Sequence, residues 1–269
     1  RTLRDILEEF QNSEYKTYED KEKGIPSTTT RKEISKLSKG LYGNIIEECF
    51  YGFKPNNSPE PDIPEACLEI KTTPYRVNTD GVISAKERLV LSMFNFHEEN
   101  LEDFYLTHLW NKCQNIFLLF YKYQKTRDIF KNITDKAFLF DWPEEDMPII
   151  LEDYKRITQK ILEGRAHELS ESDGMYLSTC RKGAGKDKDR TTQPYGPELA
   201  NRRAWSLKSS YMTTLLRSKV FTQEEQESIA KAARDTSKPF TQIIEEELLK
   251  YRGKSRSEEH TSELQSLRE

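Results

Sequence analysis

Paired cysteines, long apolar runs and a basic excess are all missing from this chain of 269 residues. The four cysteines, Cys49, Cys67, Cys113 and Cys180, stand far apart and form no Cys-x-x-Cys pair. This excludes a disulfide framework and a Cys-rich zinc site, and points to a reducing, cytoplasmic compartment. His97, His108, His167 and His260 show no metal-ligand spacing, which assigns them to the surface or to helix packing. No apolar run approaches the ~20 residues of a membrane span, so no membrane partner is expected. A net charge of −4, from 42 basic and 46 acidic side chains, excludes a global basic field. Any polyanion must then meet a local patch. A Walker A phosphate loop is excluded too, because no Gly-Lys-Ser/Thr occurs at the required spacing.

What is present suits a folded domain. Hydrophobic residues make up 35% and charged residues 33%, and Tyr and Phe number 13 each, ample for a core. The length fits one large domain or two small ones. The chain starts at Arg1 without a signal peptide, which reads as a fragment or a processed chain. Residues 256–269, containing Arg-Ser-Glu-Glu-His-Thr-Ser-Glu-Leu-Gln-Ser, look like a translated sequencing-library adapter and are set aside. On that reading the natural chain is interrupted near Ser255.

The pattern of elements is mixed. Charged, helical sequence fills the first forty residues, and Ser38–Tyr51 reads as a helix burying Ile45, Ile46 and Phe50. Leu68, Ile70 and Thr72 alternate with Glu69, Lys71 and Thr73, the period of a strand. Further strands are expected at Asn115–Tyr123, Ala137–Phe140, Met175–Cys180 and Ala204–Lys208. Helices are expected at Glu144–Leu162, closed by Gly164, and at Ser209–Lys219, capped by a serine. Two more should follow at Gln223–Arg234 and Thr241–Tyr251. Strands and helices without strict alternation indicate an α/β or α+β domain.

Two constellations carry chemistry. The strand period puts Glu69 and Lys71 on one face, with Asp62 seven residues before Glu69 near the start of the element. Two carboxylates suit a hard cation such as Mg²⁺, and the main-chain carbonyl of Ile70 offers a further oxygen. Lys71 then holds water or phosphate. A role as general base is left open, since carboxylates raise an amine pKa and a divalent cation lowers it. The same spacing also arises as an ordinary solvated Glu–Lys pair. Glu47, on the preceding helix, is placed to reach the same spot or to stand as a surface glutamate beside Glu48. The second constellation is the stretch from Arg181 to Lys208, with eight Lys/Arg against three Asp/Glu, a local net of +5. Arg181, Lys182, Lys186 and Lys208 are its candidate DNA contacts, with Gly183 and Gly185 allowing close approach. A flexible charged loop is the plain alternative.

Separated segments, in order over about residues 39–216, resemble the MutH-like endonuclease family. Lys39-Gly40-Leu41-Tyr42-Gly43-Asn44-Ile45-Ile46-Glu47 looks like its Lys-Gly…Gly…Glu helix. Glu60-Pro61-Asp62…Leu68-Glu69-Ile70-Lys71-Thr72-Thr73-Pro74 looks like its metal-binding strand. His108-Leu109-Trp110-Asn111-Lys112 resembles the stretch with a second catalytic lysine. Gly174-Met175-Tyr176-Leu177…Arg181-Lys182 and Ala204-Trp205-Ser206-Leu207-Lys208 resemble its DNA-reading loop and late strand. The resemblance implies a restriction-endonuclease-like fold: α/β, a mixed sheet flanked by helices, and two lobes around a DNA cleft. It implies Mg²⁺-dependent phosphodiester hydrolysis on double-stranded DNA. Glu47, Asp62, Glu69, Lys71 and Lys112 become catalytic residues, and Asp62, Glu69 and Ile70 the metal site.

Ser206 stands where the mismatch-repair member has a tyrosine, so no tyrosine role transfers. Ala-Trp-Ser-Leu-Lys-Ser-Ser-Tyr-Met looks more like the type II restriction enzymes that cut at GATC. On that expectation, residues 1–220 form the catalytic domain and 221–255 lead helically into a missing, regulatory C-terminal domain. Dimerisation is open. The alternatives are a mismatch-repair nicking enzyme and a catalytically inactive DNA-binding module of the same fold.

Overall fold

The computed structural model describes Gly43 and residues 58–123, 134–183, 189–235 and 237–251. Apart from Gly43, which is helical, the helix expected at Ser38–Tyr51, with Glu47, lies outside the described residues, as does Lys186 of the basic loop.

Strand β1 (Leu68–Val77) is the centre of the architecture. It pairs in parallel with β4 (Asn115–Lys122) and antiparallel with the short β2 (Ile83–Ala85). β5 (Thr134–Phe140) closes the sheet antiparallel to β4, in the order β2-β1-β4-β5. Because β1 and β4 run parallel, the chain between them must cross over. The crossover carries β3 (Leu89–Phe94) and the short helix α1 (His108–Cys113). β3 joins a second, antiparallel sheet in the order β3-β9-β6, with β6 at Leu177–Arg181 and β9 at Arg203–Leu207. A two-stranded ladder pairs β7 (Arg190–Thr191) with β8 (Ala200–Asn201).

Both faces of the four-stranded sheet are covered. Leu68 and Ile70 pack with Phe117 and Leu119 in a small cluster on one face. Ile116, Leu118 and Phe120, the alternate residues of β4, join the main core on the other. The same core takes in α2 (Met147–Leu162), which buries Ile150, Tyr154, Ile157 and Ile161 at helical spacing and packs beside β6 and β9, its Tyr154 ring 6.0 Å from that of Trp205. α2 begins at Met147 rather than Glu144. Pro148 lacks an N–H and fits only in a first turn, so an earlier start would leave it in the helix interior. Gly164 does close the helix, at φ +72°. Its N–H donates to Ile161 O at 2.9 Å and that of Arg165 to Lys160 O at 2.8 Å, the paired bonds of a Schellman cap.

Other boundaries shift for local reasons. β6 starts at Leu177 because the Met175 and Tyr176 amides, together with that of Leu177, donate to the buried Asp153 carboxylate at 2.7–2.9 Å. The helix expected at Ser209–Lys219 has no serine cap: α3 (Ser209–Leu215) follows Lys208 at the cap position and continues as one wider turn, Leu216–Val220. β5 begins three residues before the expected Ala137, since Thr134, Asp135 and Lys136 extend the ladder despite their polarity. Strands β2, β3, β7 and β8 were not expected.

The last helices, α4 (Gln223–Ala232) and α5 (Phe240–Leu249), pack into the core of the sheet. Phe221, Ile229, Ile244 and Leu248 share one cluster with Tyr75 and Ile83, and the Tyr75 and Phe221 rings meet at 5.3 Å. Among the described residues no helix is long and apolar enough to cross a membrane.

Beside Tyr75, the Asp135 carboxylate accepts the Tyr75 hydroxyl, and burial pushes its pKa from 3.8 up to about 6 against that bond and Lys136. A raised carboxyl means the folded chain holds an extra proton between these values, so stability declines as pH rises through that window. Two units correspond to about 3 kcal/mol. Asp135→Asn keeps an acceptor for Tyr75 and removes the charge. Urea melts should show it more stable than the parent by about 2–3 kcal/mol at pH 8, with the difference shrinking below pH 5. An equal difference at both pH values contradicts this.

Candidate active site

Asp62 reaches β1 before the strand begins. Its Oδ2 accepts the Ile70 N–H at 2.9 Å, fixing the carboxylate at the strand edge beside Glu69. The chain between them turns through a 3₁₀ segment, Pro64–Ala66, and Cys67 at φ 47°. Glu69 and Lys71 leave the same face of β1, as the alternation requires. Lys71 Nζ donates to Glu69 Oε1 at 2.7 Å. In register with them on β4 stand Ile116 and Leu118, both fully buried. An apolar neighbour strand is what removes water from the pair.

Lys112 arrives from the crossover. Thr107 caps α1 by accepting the Trp110 N–H at 3.0 Å, and the Trp142 indole donates to Cys113 O at 2.6 Å. The helix held at both ends places Lys112 Nζ 3.6 Å from Glu69 Oε1. The same ammonium donates to Ser58 O at 2.7 Å and Glu60 O at 3.2 Å. It therefore also ties down the loop that leads into Asp62, a task that spacing alone does not reveal.

The electrostatics follow from burial. Glu69 is 4% exposed, and its pKa is raised because burial outweighs Lys71 and Lys112, with Asp62 adding to the rise. For Lys71, burial pulls the pKa down, but Cys113 in the alkaline range where it ionises, and Glu69 and Asp62 throughout, hold it above its ordinary value. Lys71 is thus an ammonium in the metal-free site and serves as a donor there. The Cys113 thiol, buried under the cluster, is pushed up to about 12 by burial and stays neutral.

One atom is conspicuous in this arrangement. Glu69 Oε2 is shut off from solvent and has no hydrogen-bond partner among the described residues. A buried unpaired carboxylate oxygen costs about 1–3 kcal/mol or more. A hard divalent cation is a fitting partner for it, since both acids offer oxygen alone. Among the described residues no three His, Cys, Asp or Glu side chains gather as a metal-holding group. Asp62 and Glu69 are the two carboxylates the described residues offer such a cation, and further oxygens would come from the main chain, water or substrate.

Of the expected site residues, the structure brings Asp62, Glu69, Ile70, Lys71 and Lys112 together. Arg181 and Lys182 lie elsewhere, at the end of β6 in the second sheet, with Arg181 exposed and in register with Arg203 of β9. Lys208 is half-buried, and its ammonium donates to Gly174 O at 2.9 Å, so it braces the turn before β6. Gly174 permits the turn itself: a Cβ there would fall 1.6 Å from Leu177 O. Two residues at the site were not expected, Cys113 beneath the lysines and Trp142 at the end of α1. Both adjoin recognisable segments, but neither type signals a role by spacing.

Comparison with known proteins finds similarity over the stretch that carries this site. Residues 51–153 match the family described as DNA mismatch repair enzyme MutH. Over 201 residues the chain is 40% identical to the type II restriction enzyme Sau3AI of Staphylococcus aureus, covering 74% of this chain and 41% of that protein. The chain thus spans about two fifths of that relative's length. A mixed sheet flanked by helices, with Asp62, Glu69 and Lys71 on its central strand, is a restriction-endonuclease-like fold. The stretch 51–153, which carries Asp62, Glu69, Lys71 and Lys112, is thus similar to the MutH family.

Proposed function

We propose that this chain is the catalytic portion of a type II restriction endonuclease that hydrolyses both strands of double-stranded DNA at GATC with Mg²⁺. The observation that carries the reading is Glu69: one oxygen held by Lys71 and near Lys112, the other buried and unpaired beside Asp62. Mg²⁺ held by Asp62, Glu69 and the Ile70 carbonyl would supply positive charge to the oxygens of the scissile phosphate. Lys71 donates to the phosphate or to the attacking water and orients it in line with the bond to be broken. Lys112 keeps Glu69 and the Asp62 loop in register. Glu47 is assigned to the same centre on the strength of the Lys39–Glu47 resemblance. Arg181, Lys182, Lys186 and Lys208 form or brace the DNA contact, their charge standing out in an acidic chain.

The GATC assignment rests on the resemblance of the late segments to enzymes of that specificity. A repair nickase is the second reading, favoured by the match of residues 51–153 to MutH. A duplex with one GATC, labelled on each strand and incubated with Mg²⁺, separates them. The restriction reading expects both strands cut without added protein. One strand cut, and only when unmethylated, selects the nickase. Specific binding without any cut selects an inactive module.

A further inference from the structure

Glu99 has no part in the centre just described, yet it is a buried carboxylate, 7% exposed. Its backbone amide donates to Asn95 O at 2.9 Å, which fixes it in the turn after β3. Oε1 accepts the His108 N–H, the first amide of α1, at 3.1 Å. Oε2 accepts the indole N–H of Trp205 at 3.2 Å. One side chain therefore touches two elements that are nearly a hundred residues apart in sequence.

Both elements lead to function. α1 spans only His108–Cys113, too short to hold itself by propensity, so its position depends on what grips its ends. Lys112 follows His108 by one turn on the same side of the helix. Trp205 is fully buried in β9, packed against Phe94 at 4.8 Å and opposite Thr179 of β6. Two residues earlier, Arg203 stands opposite Arg181, at the base of the basic loop. A shift of β6 and β9 on the DNA would move Trp205, and with it the carboxylate that seats α1.

We propose that Glu99 is a positioning residue that fixes the Lys112 helix against the sheet bearing the basic loop, coupling DNA reading to the acid–lysine centre. This rests on the nuclease reading. Glu99→Gln keeps the shape, but an amide has one acceptor and one donor end, so either His108 N–H or the Trp205 indole then faces another donor. Trp205→Phe removes the indole bond and trims a buried ring packed against Phe94, while the Glu99 bond to the His108 N–H, the grip on α1, stays intact.

The test is steady-state cleavage of a single-GATC duplex and of one altered by a base pair, in both variants, with folding checked by thermal melting. For Glu99→Gln, kcat should fall roughly 10- to 100-fold with KM within about threefold, the mark of misplaced reacting groups. Trp205→Phe should lose about tenfold in discrimination between the two sites while retaining most of kcat. Amide exchange of His108–Cys113 in the DNA-free protein should speed up in Glu99→Gln and not in Trp205→Phe. Parental kcat and discrimination in both folded variants overturn the proposal, and if Glu99→Gln does not fold, Trp205→Phe decides. If the parent cuts no duplex, the nuclease reading fails by itself. Exchange then judges Glu99 alone, and unchanged protection of α1 in Glu99→Gln overturns its positioning role.

Discussion

Cleavage of GATC duplexes is expected to vanish in Asp62→Ala and in Lys71→Ala, while binding to the same duplex survives. On the proposed reading each substitution takes away a charged group at the reacting phosphate. Losing such a contact costs about 3–5 kcal/mol of transition-state stabilisation, roughly 10²–10⁴ in rate. Binding rests mainly on phosphate contacts spread over the basic surface, so it should change little. Asp62 needs a control, because its Oδ2 also accepts the Ile70 N–H at 2.9 Å. Asp62→Asn keeps an acceptor for that amide and removes only the charge. An equal loss of cleavage in Asp62→Ala and Asp62→Asn therefore separates chemistry from folding. Undiminished cleavage in purified Asp62→Ala or Lys71→Ala would falsify the assignment.

The largest effect on stability is expected at Glu225. This residue serves α4 twice within its capping box: its backbone N–H donates to Thr222 Oγ1 at 3.1 Å, and its carboxylate accepts the Thr222 N–H at 2.9 Å. The same carboxylate accepts Lys136 Nζ of β5, both side chains being 6% exposed, and Lys136 also lies 4.9 Å over the Phe221 ring. Glu225→Ala leaves a buried ammonium without its counter-charge, which costs about 3–5 kcal/mol, and loss of the return bond from the Thr222 N–H adds about 1 kcal/mol, while the Thr222 cap itself remains. Replacing both members, Lys136→Met with Glu225→Leu, should recover most of the ion-pair part, since no orphan charge remains. Denaturant unfolding of the single and double variants checks this. A loss below about 1 kcal/mol for Glu225→Ala would show that the pair is not buried in solution.

This bears on where the catalytic unit ends. Phe221, Ile229, Ile244 and Leu248 share the core of β1, and Glu225 is locked to β5. A fragment ending at Val220 would uncover Tyr75 and Ile83 and strand Lys136.

The parts of the fold that depend on local periodicity were legible beforehand. Alternation in Leu68–Thr73 placed Glu69 and Lys71 on one face, and aromatic, β-favouring residues marked the strand at Asn115–Tyr123, one residue longer than β4. Pro148 carried a legible warning about the start of α2 that the Glu144 boundary ignored. Other features had no local signal. Lys112 meets Glu69 across 43 residues of sequence, and only the family resemblance pointed to it. Glu99–Trp205 and Lys136–Glu225 join residues 106 and 89 apart, and each looks like an ordinary surface charge or aromatic in its own segment. Burial turns such residues into fixed contacts, and burial is set by the tertiary fold.

The most direct measurement of the central claim is to sequence the ends made from a long mixed-sequence duplex incubated with the chain and Mg²⁺. The account predicts ends on both strands at GATC, and none when the metal is chelated. Ends that share no sequence, ends formed equally well in chelator, or an intact duplex after prolonged incubation with folded protein would contradict it.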